Sequence, residues 1–254
     1  MAGSLAERVY ELRADRRHGA SWMARRAVEA VVEEAQLEAE SGEALLERLA
    51  AAGRELSSSR PEVGAVRSAL GRLLGAAQTY AHLPPEELAR LVAEEGNGLV
   101  SARERASASI AIQLRPRLEN AFVLTHSASA TVREALLRTP PELVLCTVSS
   151  PLEEGRGFAE ELGAAGLPVE LVPDEEAVAA VERCTLVLVG ADTVFRDGSV
   201  CNKIGTLPLA EEAERVGVPF VVAAEALKLV PADPAATPLD EEAATLFDVT
   251  PPEL

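Results

Sequence analysis

Lysine is almost missing from this chain: only Lys203 and Lys228 stand among 24 basic residues. Acidic side chains number 41, which sets the formal charge at −17. A field this negative argues against direct, nonspecific binding of nucleic acid. It suits a high-salt cytoplasm, where acidic surfaces stay solvated, and equally a GC-rich genome that favours Arg and Ala. Aromatics are scarce too, at 3%, so the core must be packed from Ala, Val and Leu. The three cysteines, Cys146, Cys184 and Cys201, fit neither a zinc pattern nor a disulfide framework. Cys146 and Cys184 lie in or beside apolar runs and read as buried free thiols, which points to a reducing compartment. No signal peptide is visible, and no apolar run approaches the ~18 residues of a membrane span. A soluble, cytoplasmic protein without membrane contact is expected. There is no GxGxxG and hence no dinucleotide fingerprint, and nothing in the pattern calls for a metal or a cofactor.

What is present is ample apolar material, 48% of 254 residues, enough for one large domain or two modest ones. Residues 1–116 read as helical throughout. Met23, Ala27, Ala30 and Val31 fall at helical spacing after Ser21, a candidate cap. A helix is expected from Glu43 to Ala52, between breaks at Gly42 and Gly53. Ser57 to Pro61 reads as a loop, with Pro61 in the first turn of a helix to about Ala77. Pro84-Pro85-Glu86-Glu87 starts another helix and Gly96-Asn97-Gly98 stops it. A last helix runs from about Val100 to Arg115 and ends at Pro116. After Pro116, short apolar strands alternate with helices: Ala121–Thr125, Glu142–Thr147, Val169–Val172, Thr185–Val189, Pro219–Ala223 and Phe247–Val249. That alternation predicts an α/β fold in residues 117–254, a doubly wound, mainly parallel, Rossmann-like sheet.

The most informative stretch is Leu186 to Thr206, LVLVGADTVFRDGSVCNKIGT. Its apolar run reads as a strand buried on both faces. Asp192 then falls just past the strand's carboxyl end, where open α/β sheets place their ligand crevice. Asp197-Gly198 signals a small hairpin. Asn202-Lys203-Ile204-Gly205-Thr206 leads into a helix, whose free N–H groups beside a lysine would form an anion site. The expectation is a carboxylate facing a phosphate cradle.

GAD, a short hairpin and NKIGT together resemble the family that joins the regulatory subunits of translation initiation factor 2B to two aldose-phosphate isomerases. Those isomerases act on methylthioribose-1-phosphate and ribose-1,5-bisphosphate. The resemblance extends to HGAS at His18, SRP at Ser59, LTHSAS at Leu124 and FDVTPPEL at the chain's end, and so covers nearly the whole sequence. Family members usually continue with one more strand and a short tail; here either that edge is absent or the sheet closes differently, which puts in question the contacts between copies that such a tail supplies.

The resemblance implies site residues. Asp192 matches the isomerases' catalytic acid; the alternative is a turn-capping aspartate. Asn202 and Lys203 match substrate contacts, and Asn202 also suits an N-cap. Arg60 matches a phosphate-holding arginine, for which a guanidinium fork is well shaped; otherwise it is a solvated loop arginine. Gly19 and Ala20 match a turn where backbone meets phosphate, but His18 stands where the family has arginine, with Arg17 just before it. Histidine lacks the fork, so phosphate affinity should fall unless Arg17 substitutes.

Two departures weigh against catalysis. Ser127 occupies the position of the isomerases' cysteine, and a hydroxyl cannot trade protons near neutrality without an adjacent base. A Ser127–His126 pair is disfavoured because neighbours on a strand face opposite sides. The family's Thr-Glu-Ser-Arg-Pro reads Thr147-Val148-Ser149-Ser150-Pro151 here, losing both charged residues, although Glu154-Gly155 keeps its downstream end. The resemblance therefore implies an initiation factor 2B subunit-like protein that binds a sugar phosphate or nucleotide. Its expected partners are copies of itself (a dimer or higher), a paralogous subunit, or initiation factor 2. The alternative is an aldose–ketose isomerase acting on a ribose phosphate.

Overall fold

The computed structural model describes residues 4–16, 18–236 and 239–254. The chain divides into two compact units, Met1–Glu104 and Arg105–Leu254, so the division falls inside a helix rather than at Pro116.

The first unit is helical, as the lack of alternation predicts. It holds α1 (Leu5–Ala14), α2 (Ala20–Ala35), α3 (Gly42–Ser59), α4 (Gly64–Thr79) and the first part of α5 (Pro85–Leu118). Ser4 and Glu7 close a capping box at the start of α1, satisfying two orphan donors reciprocally. Met23, Ala27, Ala30 and Val31 of α2 are all buried. Several expected limits shift. Helix α3 runs on past Gly53 to Ser59, so Ser57 to Ser59 are helical, and α4 begins at Gly64 rather than Pro61. Helix α5 passes through Gly96-Asn97-Gly98 without stopping and carries Pro116 inside its last turn. The reason is packing. A β-carbon on Gly53 would lie 2.6 Å from Leu74 Cδ1, and one on Gly96 2.8 Å from Val32 Cγ2. These glycines let neighbouring helices approach, and that gain outweighs a propensity cost of about 1 kcal/mol each.

The second unit contains the rest of α5, then β1 (Phe122–Thr125), α6 (Ala130–Arg138), β2 (Leu143–Thr147), α7 (Glu154–Ala164), β3 (Val169–Val172) and α8 (Asp174–Ala180). There follow β4 (Leu186–Val189), β5 (Thr193–Val194), β6 (Val200–Lys203), α9 (Thr206–Val216), β7 (Phe220–Val222) and β8 (Phe247–Thr250). Five strands form a parallel sheet in the order β3-β2-β1-β4-β7. β5, β6 and β8 form a separate antiparallel sheet.

Alternation along each strand feeds two cores. Val123, Val144, Leu186 and Leu188 pack with the end of α5, α6 and α7. Leu124, Leu145, Val187 and Val189 face the other way, with α8 and α9. Helices therefore cover both faces, and the strand order reverses direction between β1 and β4. That reversal opens a crevice at the strands' carboxyl ends. The free cysteines are all buried, and burial pushes the Cys146 thiol up to about 12.

Candidate functional site

At the crevice, the turn after β1 meets the loop after β2, and both take unusual backbone shapes. Ser127 and Ser149 have φ of 63° and 66°, a left-handed conformation uncommon away from glycine. They hold each other there: the Ser127 N–H donates to Ser149 Oγ at 2.8 Å. Ser149 Oγ is 2.8 Å from Thr147 Oγ1, which is 2.7 Å from His126 Nδ1. His126 Nε2 reaches the Ile204 carbonyl at 2.8 Å. A carbonyl only accepts, so Nε2 carries the proton and Nδ1 accepts from Thr147 in a neutral ring. Burial pushes the His126 pKa down, against the opposing Ile204 bond. One chain of hydrogen bonds thus ties β1, β2 and the β6–α9 turn together. His126 is consumed in it and does not pair with Ser127. On the outer side, Asp174 accepts from the Ser149 and Ser150 amides at 2.8 Å each. A cleft of about 180 Å³ runs past His126, Asp174, Gly205 and Leu209.

Ser127 turns instead to Glu154, the first residue of α7. Its Oγ donates to Glu154 Oε1 at 2.6 Å. Lys203, at the end of β6, puts Nζ 3.0 Å from both oxygens of the same carboxylate. The Lys203 side chain is only 5% exposed, so Glu154 supplies the partner that a buried ammonium requires. Gly155 makes this possible: a β-carbon there would sit 1.9 Å from the Thr147 carbonyl oxygen, so only glycine lets α7 begin so close to β2.

The helix after Lys203 differs from expectation. Gly205, at φ 104°, is the N-cap of α9. The N–H groups of Gly205 and Leu207 donate to Asp248 Oδ2 on β8, at 2.7 and 3.1 Å. These amides are therefore already met by a carboxylate of the chain itself, in place of the open anion site predicted from NKIGT. Burial raises the Asp248 pKa, and the amide bonds only partly offset it. Asn202 is not the cap. It lies within β6, buried, and donates through Nδ2 to Thr206 Oγ1 at 3.0 Å. Asp192 is half-buried in the turn after β4, with its own N–H on the Cys201 carbonyl at 3.0 Å.

A second buried pair lies at the end of β7. Glu225 accepts from Thr131 at 2.7 Å and has Lys228 Nζ at 3.2 Å. Burial alone would raise the Glu225 pKa, but Lys228 and the hydrogen bonds pull it down to about 2. Both lysines of the chain are thus buried against a glutamate in the second unit.

In the first unit, Gly19 is the N-cap of α2 and has no side-chain capping bond; Ala20 is the first helical residue. His18 donates its N–H to Asp15 Oδ1, sets Nδ1 2.7 Å from Asp15 Oδ2, and stacks on Trp22 with ring centroids 4.0 Å apart. Arg60 is 7% exposed. Its Nη1 donates to the Asp15 carbonyl at 2.8 Å and its Nε to Glu62. It is a buried arginine, not a solvated loop residue. Arg17 lies outside the described residues.

Of the site residues named from sequence, Ser127 and Lys203 meet through Glu154, while Asn202 braces the same strand. Sequence reasoning did not name Glu154 or Asp248 as candidate site residues. Both lie inside motifs that carry the resemblance, but only the tertiary fold shows what their carboxylates bind.

The model of the Initiation factor 2 subunit family matches residues 16–245. The eIF-2B subunit 2-like protein of Pyrococcus abyssi is 37% identical over 229 residues, covering 89% of this chain and 79% of the relative. The ribose 1,5-bisphosphate isomerase of Haloferax volcanii is 33% identical over 199 residues, covering 76% of this chain and 61% of the relative. Among solved structures, the translation initiation factor eIF-2B of Pyrococcus horikoshii matches with a TM-score of 0.84 at 27% identity, covering 99% of this chain and 92% of that one. Among the described residues, no helix is long and apolar enough to cross a membrane.

Proposed function

This chain belongs to the Initiation factor 2 subunit family, and from that premise we propose that it is an initiation factor 2B subunit-like protein that binds a phosphorylated sugar or nucleotide without isomerising it. One observation carries the reading. The hydroxyl of Ser127, where the resemblance to the isomerases implies a thiol, is held as a donor on Glu154, whose carboxylate is also gripped by Lys203. A serine hydroxyl trades protons near neutrality only with an adjacent base at its disposal, and the carboxylate beside Ser127 is committed to an ion pair with Lys203. Binding is supported by the start of α2 at Gly19-Ala20, where a glycine stands at the N-cap, since the positive end of a helix favours phosphate. Self-association, or assembly with a paralogous subunit or initiation factor 2, is part of the same proposal.

A second reading, an aldose–ketose isomerase using Asp192, is favoured by the 33% identity to the Haloferax volcanii enzyme. Purified protein incubated with ribose-1,5-bisphosphate or methylthioribose-1-phosphate decides between them. The first reading expects no ketose product, together with a raised melting temperature. Turnover that disappears in Asp192→Asn would overturn it.

A further inference from the structure

We propose that Glu154 determines which part of a ligand this corner accepts: a hydroxyl-bearing, uncharged portion, and not its phosphate. The inference rests on the binding function proposed above and specifies the ligand chemistry at Ser127, Glu154 and Lys203. Lys203 is the cation of this corner, and its ammonium is already balanced by a carboxylate 3.0 Å away on both oxygens. The pair carries no net charge. His126, the nearest further ionisable ring, is kept neutral in its hydrogen-bond chain. The amides that follow Lys203 are taken by Asp248. A phosphate brought to Lys203 would meet Glu154 at contact range and be repelled.

A sugar diol meets a different surface. Glu154 has about four lone-pair positions and Lys203 three N–H donors. Their mutual contacts and the Ser127 hydroxyl do not exhaust either set. Glu154 is 18% exposed, so a hydroxyl can reach it from solvent, donate to the carboxylate and accept from the ammonium. Gly155 fixes the carboxylate at this place by letting α7 start against Thr147.

Isothermal titration with inorganic phosphate at low salt tests the assignment. Glu154→Gln keeps the shape and removes the charge, so phosphate affinity should rise roughly tenfold as Lys203 is released. Glu154→Asp keeps the charge and should leave phosphate binding weak. No gain in Glu154→Gln, or an equal gain in Glu154→Asp, overturns the proposal. If Glu154→Gln does not fold, wild-type crystals soaked in sulfate give the answer: no anion is expected within hydrogen-bond distance of Lys203 Nζ, and an anion there overturns the idea. These readouts do not depend on ribose-1,5-bisphosphate binding. Failure of ribose-1,5-bisphosphate, methylthioribose-1-phosphate and a nucleotide alike to bind the wild type would sink the functional reading and leave the phosphate result to stand separately.

Discussion

Replacing Gly155 with alanine should damage this protein, although it is an apparently mild change in a helix. The added β-carbon would lie 1.9 Å from the Thr147 carbonyl oxygen and 2.7 Å from Ser149 Oγ. Relief requires α7 and the end of β2 to separate by about 1 Å, because the nearest atom is backbone, Ser149 Oγ is fixed by its hydrogen bonds, and contacts this short are strongly repulsive. Overpacking of this kind costs about 1–3 kcal/mol, and the better helix propensity of alanine returns at most about 1. A contact as short as 1.9 Å puts the cost at the upper end, so a net loss of about 2 kcal/mol is expected. Gly157, two residues on in the same helix, is the internal control. It is exposed and a β-carbon there meets nothing within 4 Å, so Gly157→Ala should stabilise by about 0.5–1 kcal/mol. Urea unfolding monitored by circular dichroism, with unchanged m-values, separates the two. If Gly155→Ala lies within about 0.5 kcal/mol of the wild type, or matches Gly157→Ala in sign, the account of how Glu154 is positioned is wrong.

His126 should make stability pH-dependent. Its folded pKa is depressed by burial from 6.5. Above that value both states are neutral and nothing is lost; below it the unfolded chain takes up a proton that the folded chain refuses. Stability therefore falls as pH drops from about 6.5, by up to about 1.4 kcal/mol per unit. His126→Gln should flatten that slope in urea titrations between pH 5 and 8, and an unchanged slope would refute the assignment. Asp248→Ala removes the acceptor for the start of α9 and should cost about 1–2 kcal/mol. It should also speed hydrogen exchange at the Gly205 and Leu207 amides, and exchange at wild-type rates would show that the cap does not protect them.

Much of the fold is legible in the sequence because its signals are local. Four consecutive apolar residues at Leu186–Val189, bounded by turn residues, become a fully buried interior strand. Val169–Val172 falls where its pattern predicts. The limits that moved furthest are those at Gly53 and Gly96. There, a glycine that reads as a helix stop serves as a contact surface for a residue on another helix, and no window of sequence reports a partner that far away.

The site divides in the same way. Sequence alone identified the family-like motifs, the serine in the cysteine's place, and the loss of two charges after Thr147, since each is a matter of residue identity. It could not assign the partners of the charges that remain. Lys203 and Glu154 are 49 residues apart, and Gly205 and Asp248 are 43 apart. Whether a lysine or a helix start is open to an anion depends on which carboxylate the fold delivers to it, and Coulomb forces act through space without regard to order along the chain.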